Sequence, residues 1–186
     1  MSDVIDPEGF RANVGIVLMQ ADRVFLGQRA GSRGWQFPQG GMQAGETLEQ
    51  ALFRELDEEI GIREGQVQII GQTERWLRYR LPPRYVRRNQ QPLCTGQKQR
   101  WFLLRLKGEP AFDFARTREP EFDAWRWVPY WEPVREVIYF KRPVYARALT
   151  ELAGLAFPRG KQPPLPPWWA EVTARNARPA VPESAD

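Results

Sequence analysis

The chain predicts an α/β or α+β protein built around one core. Two observations carry that expectation. Short β-rich runs such as "NVGIVLM", "VQIIGQT" and "KQRWFLLRLK" interleave with segments of helical period, "TLEQALFRELDEEIG" and "PVYARALTELAGLAF". The 186 residues suit about one domain, large enough to bury a real core.

The elements follow in order. "NVGIVLM" and "RVFLGQR" are strands separated by "QAD", which reads as a hairpin. "GSRGWQFPQGG", dense in Gly and Pro, reads as a loop. Thr47 is a candidate N-cap, and Gln50 three residues on completes a capping box. The helix runs to about Ile60, with Gly61 as its stop; Leu48, Leu52, Leu56 and Ile60 form its buried stripe. "VQIIGQT" and "KQRWFLLRLK" are strands, with "RWLRYRLPPRYVRRNQQP" between them partly a loop. "FDAWRWVP" is a short strand. "WEPVREVI" and "PVYARALTELAGLAF" read as two helices joined at "YFKR". After Phe157 seven prolines fall within 29 residues, so residues 1–157 are expected to form the domain and 158–186 a mostly disordered tail.

Composition narrows the function classes. Histidine is absent, which removes the commonest general base and the commonest zinc ligand. Hydrolytic chemistry would then rest on carboxylates, lysine, tyrosine, Cys94 or a hard metal ion. A lone cysteine forms no internal disulfide, and "MSDVIDPEGFR" lacks the apolar core of a secretory signal, so a cytoplasmic protein is expected. The longest apolar run, around Val17 to Met19, is too short for a membrane span. The net charge of +4 is polarised: Arg75 to Lys107 carries ten Lys or Arg and no acid. Beside an acidic remainder, that block suggests an anionic partner held near a cation site; an ordinary solvated basic surface is the alternative.

The acidic remainder concentrates in "RELDEE". On a helix Glu55, Glu58 and Glu59 project within one arc of about 100° that borders the apolar stripe. Like charges at this spacing repel, and the chain is expected to supply little counter-charge of its own. Converging carboxylates suit an oxygen-preferring ion such as Mg²⁺ or Mn²⁺. Gly40 and Gly41 would let the backbone pass closely around the ion site, Gly45 would help the loop reach the helix, and Glu46 adds a further carboxylate.

The residues Gly40, Glu46, Arg54, Glu55, Leu56, Glu58, Glu59, Ile60, Gly61 and Ile62 match G-x5-E-x7-R-E-U-x-E-E-x-G-U, where U is aliphatic. This stretch resembles the Nudix box of hydrolases that cleave nucleoside diphosphates linked to another moiety. The resemblance extends over about Gly9 to Leu152. "GFRANVGIV", "WQFPQGG", "WLRYRLP", "GQKQRWFLLRL", "PEFDAWRWV" and "FKRPVYARAL" are similar to bacterial RNA 5′-pyrophosphohydrolases and the related dinucleoside polyphosphate hydrolases.

That resemblance implies a Nudix fold, a mixed β-sheet sandwiched between helices. It implies a metal-dependent enzyme, using more than one Mg²⁺ or Mn²⁺ ion, that converts 5′-triphosphate RNA ends to monophosphates with release of pyrophosphate and so promotes mRNA decay. The alternative is hydrolysis of diadenosine tetraphosphate. By position, Glu55, Glu58 and Glu59 would hold the ions, Glu121 would be a further metal ligand or a water-activating carboxylate, and Arg54 would orient the acids. Arg11, Arg29, Tyr79, Gln97 and Lys141 would approach the phosphates. Phe140 would stack on a base in a pocket lined by Ile138. The basic block with Trp76, Tyr79, Tyr85 and Trp101 would suit a single-stranded RNA end, charge for phosphates and rings for bases. A catalytically silent binding module and a mononucleotide pyrophosphatase are weaker readings. The intact box opposes the first, and "GQKQRWF" and the basic block oppose the second.

Overall fold

Near-continuous apolar runs in "VGIVLM" and "RWFLLRL" give two strands a buried set on each face, so each needs a cover on both sides. The computed structural model describes residues 4–31, 34–89, 91–109 and 111–174. Its elements are β1 (Phe10–Gln20), β2 (Arg23–Arg29), β3 (Trp35–Gln36), β4 (Gln39–Gly41), α1 (Leu48–Ile60), β5 (Val67–Gln72), β6 (Leu77–Arg80), β7 (Gly96–Leu106), β8 (Phe122–Pro129), α2 (Pro133–Glu136), α3 (Arg142–Ala156) and α4 (Trp169–Ala174).

The two long strands β1 and β7 pair in parallel, from Phe10 opposite Gly96 to Met19 opposite Arg105. Around them the path runs β3-β2-β1-β7-β5, while β4 joins β1, β6 joins β7 and β8 joins β2, all antiparallel. The sheet is therefore mixed. Val14, Ile16, Leu18, Phe102 and Leu104 pack beneath α1. Val17, Met19, Trp101 and Leu103 pack beneath α3 on the other face. Helices on both faces make the α/β/α sandwich that the resemblance implies.

Four sequence expectations are corrected. "GSRGWQFPQGG" is not simply a loop, because β3 pairs with Gly27 and Gln28 and β4 pairs with Asn13 to Gly15. Pro38, which has no N–H to donate, sits between them and accepts the Ile16 N–H at 2.9 Å. "WEPVREVI" gives only the four-residue α2. Val134 and Val137 are drawn into the core and the backbone turns extended at Val137. Trp101, expected among the RNA-facing rings, is fully buried against Phe37 and Tyr145.

The fourth correction concerns the tail. Residues 158–174 are packed against the domain rather than loose. The Trp131 indole donates to the Pro163 carbonyl at 2.9 Å and meets the Trp169 ring edge-on at 5.1 Å. Trp168, Trp169 and Val172 lie on the α3-side core, and Arg135 stands over the Trp168 ring. Large aromatic area offsets the shortage of aliphatic residues, and prolines lower the entropy lost on ordering. The rest of the expected tail, 175–186, lies outside the described residues.

Candidate active site

Helix α1 is set at both ends by local chemistry. Thr47 Oγ1 accepts the Gln50 N–H at 3.2 Å while Gln50 Oε1 accepts the Thr47 N–H at 2.9 Å, the capping box expected from sequence. Gly61 takes φ +71°, and its N–H returns to the Asp57 carbonyl. Leu52, Leu56 and Ile60 are fully buried, which fixes the rotation of the helix and presents Glu55, Glu58 and Glu59 to β4 and the cleft beside it.

The glycine pair of β4 lets two charged groups press onto the backbone. A Cβ on Gly40 would fall 1.8 Å from Glu55 Cδ, and one on Gly41 would fall 2.2 Å from Arg11 Nη2. The Glu55 carboxyl and the Arg11 guanidinium thus occupy the space of side chains that are missing. Arg54 completes the frame. Its Nη1 donates to Glu55 at 2.6 Å and to Glu58 at 3.3 Å, its Nε to Glu46 at 2.8 Å, and its Nη2 to Glu46 at 2.9 Å and to the Gly41 carbonyl at 2.8 Å. The expectation of scarce internal counter-charge is therefore corrected: one guanidinium reaches three carboxylates of the cluster.

Electrostatics separate these acids. The Arg54 hydrogen bond lowers the Glu46 pKa. Burial raises that of Glu55 against the pull of Arg54. Glu59 is pushed well above the usual carboxylate range, first by burial and then by the neighbouring Glu55 and Glu121 carboxylates. Its carboxylate accepts the Gln39 N–H at 2.9 Å.

A cleft of about 410 Å³ opens beside the helix and is bordered by Glu55, Glu59 and Glu121. Arg11, Arg29, Tyr79, Gln97, Phe140 and Lys141, all singled out from sequence, border the same cleft. Arg29 Nε and Gln36 Nε2 each donate to Glu121 Oε1 at 3.0 Å, and Lys141 Nζ donates to Gln36 Oε1 at 3.1 Å. Burial, with Arg29 close by, depresses the Lys141 ammonium to about 8. The Tyr79 hydroxyl donates to Gln97 Oε1.

Ile138, expected to line this pocket, stands outside it and is exposed. Arg54 also lies outside, framing the acids rather than facing the space. Glu58 borders a second opening, shared by Glu55, Glu59 and Glu121 with Thr117, Arg118 and Glu119. Sequence reasoning missed Gln36 and Gln39, which also border the main cleft, whereas Arg87, which borders it too, belongs to the basic block expected to face RNA. Neutral amides carry no signal by type, but Gln36 and Gln39 both precede the glycine pair in "WQFPQGG".

The basic block is dispersed. Lys98 pairs with Asp6 at 2.8 Å, Arg78 pairs with Glu8 at 2.9 Å, and Arg105 donates to the Ala21 and Ala156 carbonyls. Of its ten cations Arg87 borders the cleft.

Among the described residues no three carboxylates already stand together as a metal cage. The donors around the second opening are nonetheless almost all oxygen, and two of them, the buried Glu55 and the half-buried Glu59, are acids with raised pKa values, which suits a hard divalent cation. No helix among the described residues is long and apolar enough to cross a membrane.

Comparison with known proteins agrees with this geometry. The NUDIX domain model matches residues 9–148. The chain is 55% identical over 166 residues to an RNA pyrophosphohydrolase of Alkalilimnicola ehrlichii, covering 87% of this chain and 92% of that protein. It is 54% identical over 157 residues to an RNA pyrophosphohydrolase of Shewanella loihica, covering 83% and 90%. Among solved structures it resembles the E. coli dihydroneopterin triphosphate pyrophosphohydrolase, with TM-score 0.59 and 23% identity over 75% of this chain and 94% of that one. A C. elegans Ap4A hydrolase complex gives TM-score 0.55 at 20% identity over 73% and 92%. The chain belongs to the Nudix family.

Proposed function

We propose that this Nudix-family chain is a metal-dependent RNA pyrophosphohydrolase acting on the 5′-triphosphate end of RNA. The observation that carries this reading is the single cleft in which Glu55, Glu59 and Glu121 face Arg11, Arg29 and Lys141. Identity above 50% to RNA pyrophosphohydrolases over most of the chain supports it. Water adds at phosphorus, the anhydride bond between the α and β phosphates breaks, and pyrophosphate leaves a 5′-monophosphate. The enzyme would act in the cytoplasm and promote mRNA decay.

Glu55, Glu58, Glu59 and Glu121 would hold more than one Mg²⁺ or Mn²⁺ ion. When bound, such ions neutralise adjacent phosphate oxygens, polarise phosphorus and favour ionisation of water. Arg54 holds Glu55 through a 2.6 Å charge-assisted hydrogen bond and reaches Glu58 more loosely at 3.3 Å. Lys141 Nζ, Arg29 and Arg11 donate to phosphate oxygens, and an arriving phosphate favours the protonated form of Lys141. Gln97, which accepts from the Tyr79 hydroxyl, keeps its amide N–H groups for a phosphate oxygen. Phe140 stacks on a base.

A Mg²⁺-dependent substrate panel tests this reading: triphosphate and diphosphate RNA, diadenosine tetraphosphate, and free nucleotides. Preferred turnover of the RNAs, with pyrophosphate from the triphosphate end, is expected. Turnover of free nucleotides alone would overturn it. One observation favours a second reading, diadenosine tetraphosphate hydrolysis: little of the basic block reaches the cleft, and a dinucleotide needs fewer cationic contacts.

A further inference from the structure

Two single 3₁₀ turns, Pro83–Tyr85 and Tyr139–Lys141, meet at the mouth of the cleft. Each brings an aromatic ring to Phe140. The Tyr85 ring lies 4.9 Å from it, tilted by 50°, and the Tyr139 ring lies 5.4 Å away, edge-on at 88°. Arg84 bridges the two tyrosines, with its guanidinium carbon 5.0 Å from the Tyr85 ring and 5.8 Å from the Tyr139 ring. These tyrosines are 39% and 42% exposed, so neither is there to fill the core.

We propose that Tyr85, Arg84 and Tyr139 form a stacking rail for the unpaired nucleotides that follow the 5′ end of the RNA. This deepens the proposed function and rests on it. Phe140 and Tyr85 border the cleft, so the rail continues the space where the terminal phosphates would sit. Every base offers a π-face, and Arg adds a cation that stacks flat as well as pairing with phosphate. Arg87 also borders the cleft beside Tyr85 and adds positive charge for the backbone. The occupant is single-stranded RNA, because a base-paired end keeps its faces stacked inside the duplex.

The test uses the full chain with Mg²⁺ and two 5′-triphosphorylated single-stranded RNAs, a dinucleotide and an oligomer of about eight nucleotides. The wild type should favour the longer RNA, chiefly through KM, by about tenfold for each base that stacks. Tyr139→Ala and Arg84→Ala should bring that ratio close to one, while Tyr139→Phe, which keeps the ring, retains it. Binding of the 5′-monophosphate oligomer, followed by fluorescence anisotropy, should weaken in parallel. Hydrolysis of both RNAs with an unchanged ratio and unchanged binding in Tyr139→Ala would overturn the rail and leave the enzyme reading standing. Absence of RNA hydrolysis, with oligomer binding that still depends on Tyr139, would overturn the enzyme reading and leave the rail.

Discussion

Gly40→Ala separates the catalytic role of the glycine pair from its role in folding. The backbone at Gly40 lies outside the left-handed region, so alanine meets no conformational penalty there. The new methyl would instead stand 1.8 Å from Glu55 Cδ and 2.0 Å from both carboxylate oxygens. Non-bonded carbon contacts need about 3.5 Å, so the carboxyl must retreat by roughly 1.5 Å. That breaks the 2.6 Å bond to Arg54. A charge-assisted bond contributes about 1.5–3 kcal/mol, part of which returns because the displaced group is better hydrated. A net loss of about 1–2 kcal/mol should lower Tm by roughly 2–8 °C for a chain of this length. Turnover should suffer far more, by about a hundredfold or more, since a misplaced metal ligand forfeits several kcal/mol in the transition state. Thermal melts and Mg²⁺-dependent pyrophosphate release measure the two effects. Gly65→Ala is the control, because its methyl meets nothing within 4 Å. Wild-type turnover in Gly40→Ala would refute the placement of Glu55 at the reacting phosphate.

Lys141 and the C-terminal segment give two further expectations. The Lys141 ammonium titrates near 8, so its grip on phosphate is present below that pH and fades above it; KM for triphosphate RNA should rise with pH above about 8 and stay flatter in Lys141→Arg. For folding the sign is opposite: between about 8 and the ordinary 10.5 the unfolded chain keeps a proton the folded one has released, so this group makes stability rise with pH in that window, and a pH series of denaturant melts that shows no such gain would contradict the depressed value. Truncation after Phe157 removes the partners of Trp131 and uncovers part of the α3-side core. It should cost about 2–4 kcal/mol, and an unchanged melting temperature would return the segment to the status of a peripheral tail.

What was legible in the sequence was mostly what is local. The cap at Thr47, the stripe through Leu56 and the stop at Gly61 involve neighbours within a few residues, and the Nudix box itself fixes the acids by number. The strands β3 and β4 were illegible because their partners lie far along the chain, as with Gly41 opposite Asn13. Gln36 and Gln39 entered the site through that pairing, so no property of glutamine could announce them. Trp101 is different: the signal was present and was outweighed. Its place in the alternation with Leu103 marks a core face, whereas its neighbour Arg100 invited a nucleic-acid reading. The docking of 158–174 was hidden by proline count, because composition does not reveal that two tryptophans find Trp131 and the α3 face. The arrangement of the tyrosines at the cleft mouth was not legible, since Tyr85 and Tyr139 lie far apart in the chain and are brought together by Phe140 and Arg84.

The crowding of acids on α1 resolves into two kinds of carboxylate, and the division yields a last prediction. Arg54 holds Glu46, Glu55 and Glu58, Arg116 grips both oxygens of Asp57 at 3.0 Å, and Arg29 pairs with Glu121. Glu59 instead accepts a backbone N–H from Gln39, while burial, Glu55 and Glu121 all oppose its ionisation. A group whose folded pKa is raised withdraws stability as pH climbs from the ordinary 4.5 towards that raised value, so at neutral pH an ionised Glu59 weakens the fold. A divalent ion shared with Glu55 and Glu121 would turn those repulsions into common attraction. Glu59→Gln should therefore melt at the same temperature as wild type, or higher, in the presence of a chelator. It should also lose most of the Mg²⁺-dependent rise in Tm, and with it turnover. The amide is isosteric, so packing is preserved and only the charge is removed. If Glu59→Gln melts lower in chelator and keeps the full Mg²⁺-dependent rise, Glu59 is a structural acid and the ions are held without it.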